Sequence, residues 1–178
     1  NSAVSRNPKI SPDIFKNMLV GQAVAESASI FALVIAILLL FLDVSMPTLL
    51  KAAALVGAGI SMGFGAIGSG IGSGYPGGQA CFGIARQPKV ASQLTTNMLI
   101  GSAVCQTPAI FSMVVALMLM FIDFGDAPLS PTWAAYLGAG LSMGLAAIGS
   151  GYGGGLAAGA SCEGIARNPK AVAHVTTT

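Results

Sequence analysis

The sequence predicts an all-α membrane protein made of antiparallel transmembrane helical hairpins, and three observations carry that prediction. Of 178 residues, 54% are hydrophobic and only 8% charged, with a mean hydropathy of +0.78. Soluble domains carry roughly 25% charged residues, so this chain cannot cover itself with a polar surface. Four apolar segments reach the roughly 20 residues that a helix needs to cross the hydrocarbon core. Finally, the chain repeats itself: Arg6, Glu26 and Asp43 recur eighty residues later as Arg86, Gln106 and Asp123.

The spans are expected near 14–42, 49–84, 91–123 and 132–166. Between them lie LDVSMP (42–47), RQPK (86–89) and DFGDAP (123–128). Pro8, Pro88 and Pro169 each follow an Arg-X pair, which marks turns rather than helix interiors. The first span is too long for a signal peptide and lacks a small-residue cleavage pattern. With four alternating spans, Arg6, Lys9, Lys16, Arg86, Lys89, Arg167 and Lys170 gather at one membrane face. Asp43, Asp123, Asp126 and the single Lys51 fall at the other. The positive-inside rule then puts both termini and the RQP loop in the cytoplasm, expected to be that of a bacterium bounded by its plasma membrane. Trp133 and Tyr136, at the start of the last span, suit an outer interfacial anchor.

The repeating unit is a glycine-rich helix, a basic ARxPK loop and a bulky apolar helix. GSGIGSGYPGGQACFGIARQPK is answered by GSGYGGGLAAGASCEGIARNPK. By this measure 1–47 is half a hairpin, 48–123 a whole one, and 124–178 a glycine-rich helix with a cytoplasmic tail. Each terminus reads as half a hairpin, so a further glycine-rich helix before Asn1 and a further bulky helix after Thr178 are expected as readily as not.

The glycine tracts invite a nucleotide-loop reading, but no GK[ST] follows and no strand precedes them. Inside membrane-length segments, small residues instead let helix backbones approach closely. Gly68, Gly70, Gly72, Gly74, Gly149, Gly151 and Gly153 are the expected packing positions. A protomer thin along one helix and bulky along the other packs many copies into a closed ring, thin helices inside. Net charge +2 without a basic cluster excludes a nucleic-acid partner. Cys81, Cys105 and Cys162 lie singly in small or apolar surroundings and read as packing residues. His174 sits in a polar tail and reads as a surface residue.

Glu26 stands apart. It lies ten residues past Lys16, roughly 15 Å along a helix, near the middle of a core about 30 Å thick. A carboxylate there is a functional-site candidate by default, because hydrocarbon favours its neutral or ion-paired form. The bland alternative is a permanently protonated group that bonds two helices. Ser27 offers a hydroxyl beside it, Ala23 and Ala25 leave room, and Gln22 sits one turn away. In the repeat, MLVGQAVAESASIFALVIAILLLF becomes MLIGSAVCQTPAIFSMVVALMLMF, and the acid becomes Gln106. Glutamine keeps the size and hydrogen bonding of the acid but cannot release a proton or neutralise a cation. Pro108 opens the helix backbone nearby. Glu163, four residues before Arg167, is expected to snorkel or pair at the cytoplasmic end.

Together these motifs resemble the proteolipid c subunit of rotary ATP synthases: a GxGxGxG helix, an R[QN]P loop and a second helix carrying GQAVAES. Several hairpins with some carboxylates lost resemble the fused proteolipids of V-type pumps. The resemblance implies a rotor ring of many copies in membrane lipid, turning against subunit a. Its loops, here Arg86, Gln87 and Pro88, would touch central-stalk subunits. It implies no catalysis and no cofactor, only a transported ion, H⁺ or Na⁺, at Glu26. In the family's Na⁺ pattern Val24 (through its carbonyl), Glu26 and Ser27 match. Ala28 and Phe31 replace a Thr and a Tyr, and the Gln of the glycine-rich helix falls at Ser73 and Gly154. A repeat-built secondary transporter is the alternative of another class, but such proteins show broken helices and several polar midplane residues.

Overall fold

The computed structural model describes residues 2–43, 48–124 and 131–171. His174, Asp126 and the proline ends of the two outer linkers, Pro47 and Pro128, lie outside the described residues. A short helix α1 (Ser2–Arg6) precedes four long ones: α2 (Ser11–Phe41), α3 (Leu49–Arg86), α4 (Ala91–Phe121) and α5 (Trp133–Arg167). Each of the four is long and apolar enough to cross a membrane. The expected spans are therefore met to within about three residues at each end.

The prolines set the boundaries. The residue before a proline is pushed out of the α region, so α3 stops at Arg86 and Gln87 turns extended, at φ −135° and ψ 75°. Pro88 then opens a single 3₁₀ turn, Pro88–Val90, before α4 begins. Asn7 does the same at φ −147° and ψ 82° ahead of the turn Pro8–Ile10. A third turn, Pro169–Ala171, follows α5. Arg86, Pro88 and Lys89 of the central loop are exposed.

The packing separates into two compact units. The first takes the described residues up to Ser27, Gly70–Gln106 and those from Gly151 onward. Its buried cluster includes Ile14, Ile84, Leu94, Met98 and Ile165. Two asparagines eighty residues apart line it in matching ways. Asn17, 2% exposed, donates to the Cys81 sulfur at 3.4 Å and accepts from the Thr95 hydroxyl at 2.9 Å. Asn97 donates to Ser161 Oγ at 2.9 Å and to the Cys162 sulfur at 3.4 Å. Cys81, Cys105 and Cys162 are all free thiols and all buried. The Arg6 guanidinium stacks over Phe82, and Glu163 forms the expected ion pair with Arg167.

The second unit takes the described residues of Ala28–Ser69 and Thr107–Ser150. Small residues dominate its core: Ala28, Ala54, Ala58, Ala109 and Ala116 surround Ile35, Met62 and Met120. Phe124 and Tyr136 meet edge to face at 5.0 Å. Lys51 has a role that its position alone does not announce. Its ammonium donates to the Met120 carbonyl at 2.6 Å, and the Ile122 carbonyl is 3.4 Å away. It thus caps the C-terminal end of α4, where unpaired carbonyls and the helix dipole favour a cation. We expect Lys51→Met to lower stability by about 1 kcal/mol, read as the thermal melting of the detergent-solubilised chain. An unshifted melt would show that the cap contributes nothing.

In each unit α3 and α5 lie side by side with backbones nearly touching. A Cβ on Gly57 would lie 2.6 Å from the Tyr136 carbonyl oxygen, and one on Gly144 3.0 Å from that of Ile60. In the first unit a Cβ on Gly72 would collide with the Gly151 carbonyl, and one on Gly155 with Gly72. The paired residue numbers differ by about eighty throughout, so the two glycine-rich helices run parallel in the register of the repeat.

Candidate functional site

Val24, Glu26 and Ser27 lie on one turn of α2. The Ser27 hydroxyl donates back to the Val24 carbonyl at 2.7 Å. Glu26 is exposed, and Gln22, Glu26, Ile30 and Leu33 form one uncovered stripe at helical spacing. Among the described residues, none bonds or pairs with the Glu26 carboxylate.

Gln106 is in the opposite situation. It sits on α4 and is 9% exposed. Its amide nitrogen donates twice: to the Val24 carbonyl of α2 at 2.8 Å and to Ser73 Oγ of α3 at 2.9 Å. Ser102, one turn earlier on α4, donates its hydroxyl to the Ser73 carbonyl at 2.9 Å. Three helices are thus pinned together through one carboxamide. Its oxygen is buried with no hydrogen-bond partner among the described residues.

Chemistry explains why an amide suits this place. The Val24 carbonyl is an acceptor, so whatever faces it must donate or carry positive charge. A bare carboxylate in the place of Gln106 would set oxygen against oxygen. A protonated acid, or a cation held by the acid, would not. Glutamine meets that requirement at every pH, because its amide N–H always donates. Burying an N–H···O bond of this kind contributes about 1 kcal/mol net, and breaking it leaves polar atoms stranded at further cost.

The structure thus brings the Val24 carbonyl, which also accepts from the Ser27 hydroxyl, to Gln106. Ser73, flagged from the sequence only as a missing glutamine, is a working member of the cluster. Ser102 was missed; the signal was a small polar residue one turn before Gln106. Ser69 was missed too. Its hydroxyl accepts the amide N–H of Ala109, next to Pro108, at 3.1 Å.

Of the expected packing glycines, Gly68 and Gly72 are held against α5, at Ala147–Ile148 and Gly151 respectively. Gly70 and Gly74 lie beside Ala25 of α2, and a Cβ on Gly149 or Gly153 would meet none of the described residues within 4 Å. No group of three or more His, Cys, Asp or Glu side chains among the described residues could hold a metal ion.

A family model for the C subunit of ATP synthase matches residues 2–39, 56–119 and 137–177, three times along the chain. The ATP synthase c subunit of Petrotoga mobilis is 48% identical over 68 residues, covering 38% of this chain and 71% of that protein. The chloroplastic c subunit of Ostreococcus tauri is 47% identical over 78 residues, 44% of this chain and 95% of the relative. The c subunit of Thermotoga petrophila is 45% identical over 67 residues, 38% and 79% of the two chains.

Proposed function

The chain belongs to the family of ATP synthase C subunits, in a multi-repeat form, and from that premise we propose that it carries H⁺ or Na⁺ across the membrane on Glu26 as its ring turns. It is a multi-pass membrane protein and a non-catalytic subunit, so the chemistry of ATP lies elsewhere in the complex. The observation that carries the proposal is the contrast between the two repeats. One acid lies uncovered in mid-span, and its counterpart amide is locked in a buried cluster.

An uncovered acid in lipid is costly when charged, so it passes through hydrocarbon neutral or ion-bound. It discharges where a polar surface meets it, and in this reading subunit a supplies that surface. The Arg86–Pro88 loop, with Arg86 and Pro88 exposed and Gln87 half-buried, is the surface offered to the central stalk. Gln106 occupies a place in the ring and takes up no ion.

A silent site changes the gearing. Each ion is worth about 2.3 kcal/mol per 100 mV, so fewer live sites per turn supply less energy per ATP made. Run in reverse, the same ring pumps against a steeper gradient, which favours an ATP-driven pump of V-type character. Gln106→Glu is the test, with ions moved per ATP counted in proteoliposomes. Because this chain then contributes two acids in place of one, the count is expected to rise, up to twofold if all copies are this chain. An unchanged count would show that position 106 does not set the gearing.

A further inference from the structure

We propose that the cleft between the cytoplasmic ends of α2 and α4 seats the headgroup of a phospholipid with a primary ammonium, its phosphate on Lys16 and its ammonium on Asp13. The inference needs only the membrane placement of α2, not the role of Glu26. The cleft has a volume of about 310 Å³ and is lined by Asp13, Lys16 and Asn17 of α2 with Ser92, Thr95 and Thr96 of α4. That volume falls at the lower end of the roughly 300–1,000 Å³ that small-ligand sites span. Part of the polar lining is already engaged. The Thr95 hydroxyl lies 2.9 Å from both Asn17 Oδ1 and the Ala91 carbonyl, and the Asn17 amide nitrogen turns to the sulfurs of Cys81 and Met98. Asp13, Lys16, Ser92 and Thr96 are exposed, and among the described residues none of their side chains has a hydrogen-bond or ion-pair partner.

An acid and a base one turn apart on one cleft, each unpaired, ask for a ligand that carries both signs. Depth selects that ligand. Lys16 lies ten residues, about 15 Å, from Glu26, at the edge of the hydrocarbon core where lipid phosphates begin. Asp13 lies about 4.5 Å further toward the cytoplasm. An ethanolamine headgroup meets the two in that order, phosphate nearer the acyl chains and ammonium beyond it. Lys16 with the Ser92 and Thr96 hydroxyls can donate to the phosphate, and the Asp13 carboxylate can accept from the ammonium. A glycerol headgroup supplies no cation, so Asp13 would face the phosphate with like charge. A choline headgroup supplies a cation with no N–H for the carboxylate to accept from. Val20 lines the cleft on its hydrocarbon side, where the acyl chains leave it. The next repeat does not duplicate the pair: Asp13 becomes Gln93 and Lys16 becomes Thr96.

The test uses the assembled ring in micelles carrying equal amounts of phosphatidylethanolamine, phosphatidylcholine and phosphatidylglycerol with identical acyl chains. Lipid retained by the ring is counted by native mass spectrometry. Phosphatidylethanolamine should exceed each of the others by about two- to fivefold, the range of one partly exposed ion pair. Asp13→Asn should erase that preference, and Lys16→Gln should lower phosphatidylethanolamine retention itself by a similar factor. Neither side chain has a partner within the described residues, so both variants should still assemble, and the ratio between lipids is independent of yield. Lys89→Gln removes an exposed cation of the central loop, outside the cleft, and should leave the ratio unchanged. Equal retention of the three lipids by the parent ring overturns the inference, as does a preference for phosphatidylglycerol. So does an ethanolamine preference that survives Asp13→Asn, or one that Lys89→Gln abolishes equally. Retention of chain-free glycerophosphoethanolamine in place of the lipid would overturn the assignment to a membrane lipid.

Discussion

Glu26→Gln is expected to abolish ion-coupled turnover while leaving the chain folded and assembled. The variant would carry glutamine at both repeat positions, and no acid would remain in mid-span to take up an ion. Because Glu26 is exposed and none of the described residues bonds to it, the substitution removes no fold-stabilising contact. ATP-driven ion uptake in proteoliposomes should fall to background, and ATP hydrolysis should lose its sensitivity to carbodiimide. Glu163→Gln is the control. That carboxylate pairs with the exposed Arg167 at the end of α5, and such surface pairs are worth about 0–1 kcal/mol. Coupling should survive its loss. Ion uptake by Glu26→Gln at more than a few per cent of the parent rate would remove Glu26 from the mechanism.

What could be read from the residues and what could not separate along physical lines. Spans, turns and repeat follow from short-range rules, and the structure places them accordingly. A proline disfavours the α region one residue before it, and α3 does end at Arg86, although Pro76 and Pro108 stay inside their helices. Glu26 is conspicuous in the sequence because a charge in a long apolar run needs no neighbour to stand out. The direction of Val24 and Ser27 was not. Sequence places them beside Glu26 on one turn, but a helix turns 100° per residue, so adjacent residues address different neighbours. Only the packed structure shows the Val24 carbonyl directed to Gln106. Lys51 shows the same limit: its charge was visible, while the helix end it caps lies about seventy residues away. Ser69 could have been suspected, since Pro108 disturbs nearby backbone groups, but nothing local says which helix answers them.

The glycine tracts carry the second large prediction, because the residues look alike and are expected to respond with opposite signs. In water an interior alanine favours a helix over glycine by roughly 1 kcal/mol. With propensity alone at work, every Gly→Ala change in α3 and α5 would stabilise. At Gly72 the added Cβ would run into the Gly151 carbonyl, a backbone group that cannot rotate away. The helices would have to separate, which loosens the contacts that hold glycine-rich helices together in lipid. Overpacking of this kind costs about 1–3 kcal/mol, so Gly72→Ala should lower the melting temperature despite its better propensity. At Gly149 none of the described residues lies within 4 Å of the new Cβ, and Gly149→Ala in the solubilised single chain should be neutral or slightly stabilising. Equal responses at the two sites would mean that close backbone contact does not govern the α3–α5 pairing. The assembled ring adds a further discrimination: if Gly149→Ala melts normally as a single chain yet fails to assemble, that open face of α5 is where another helix packs.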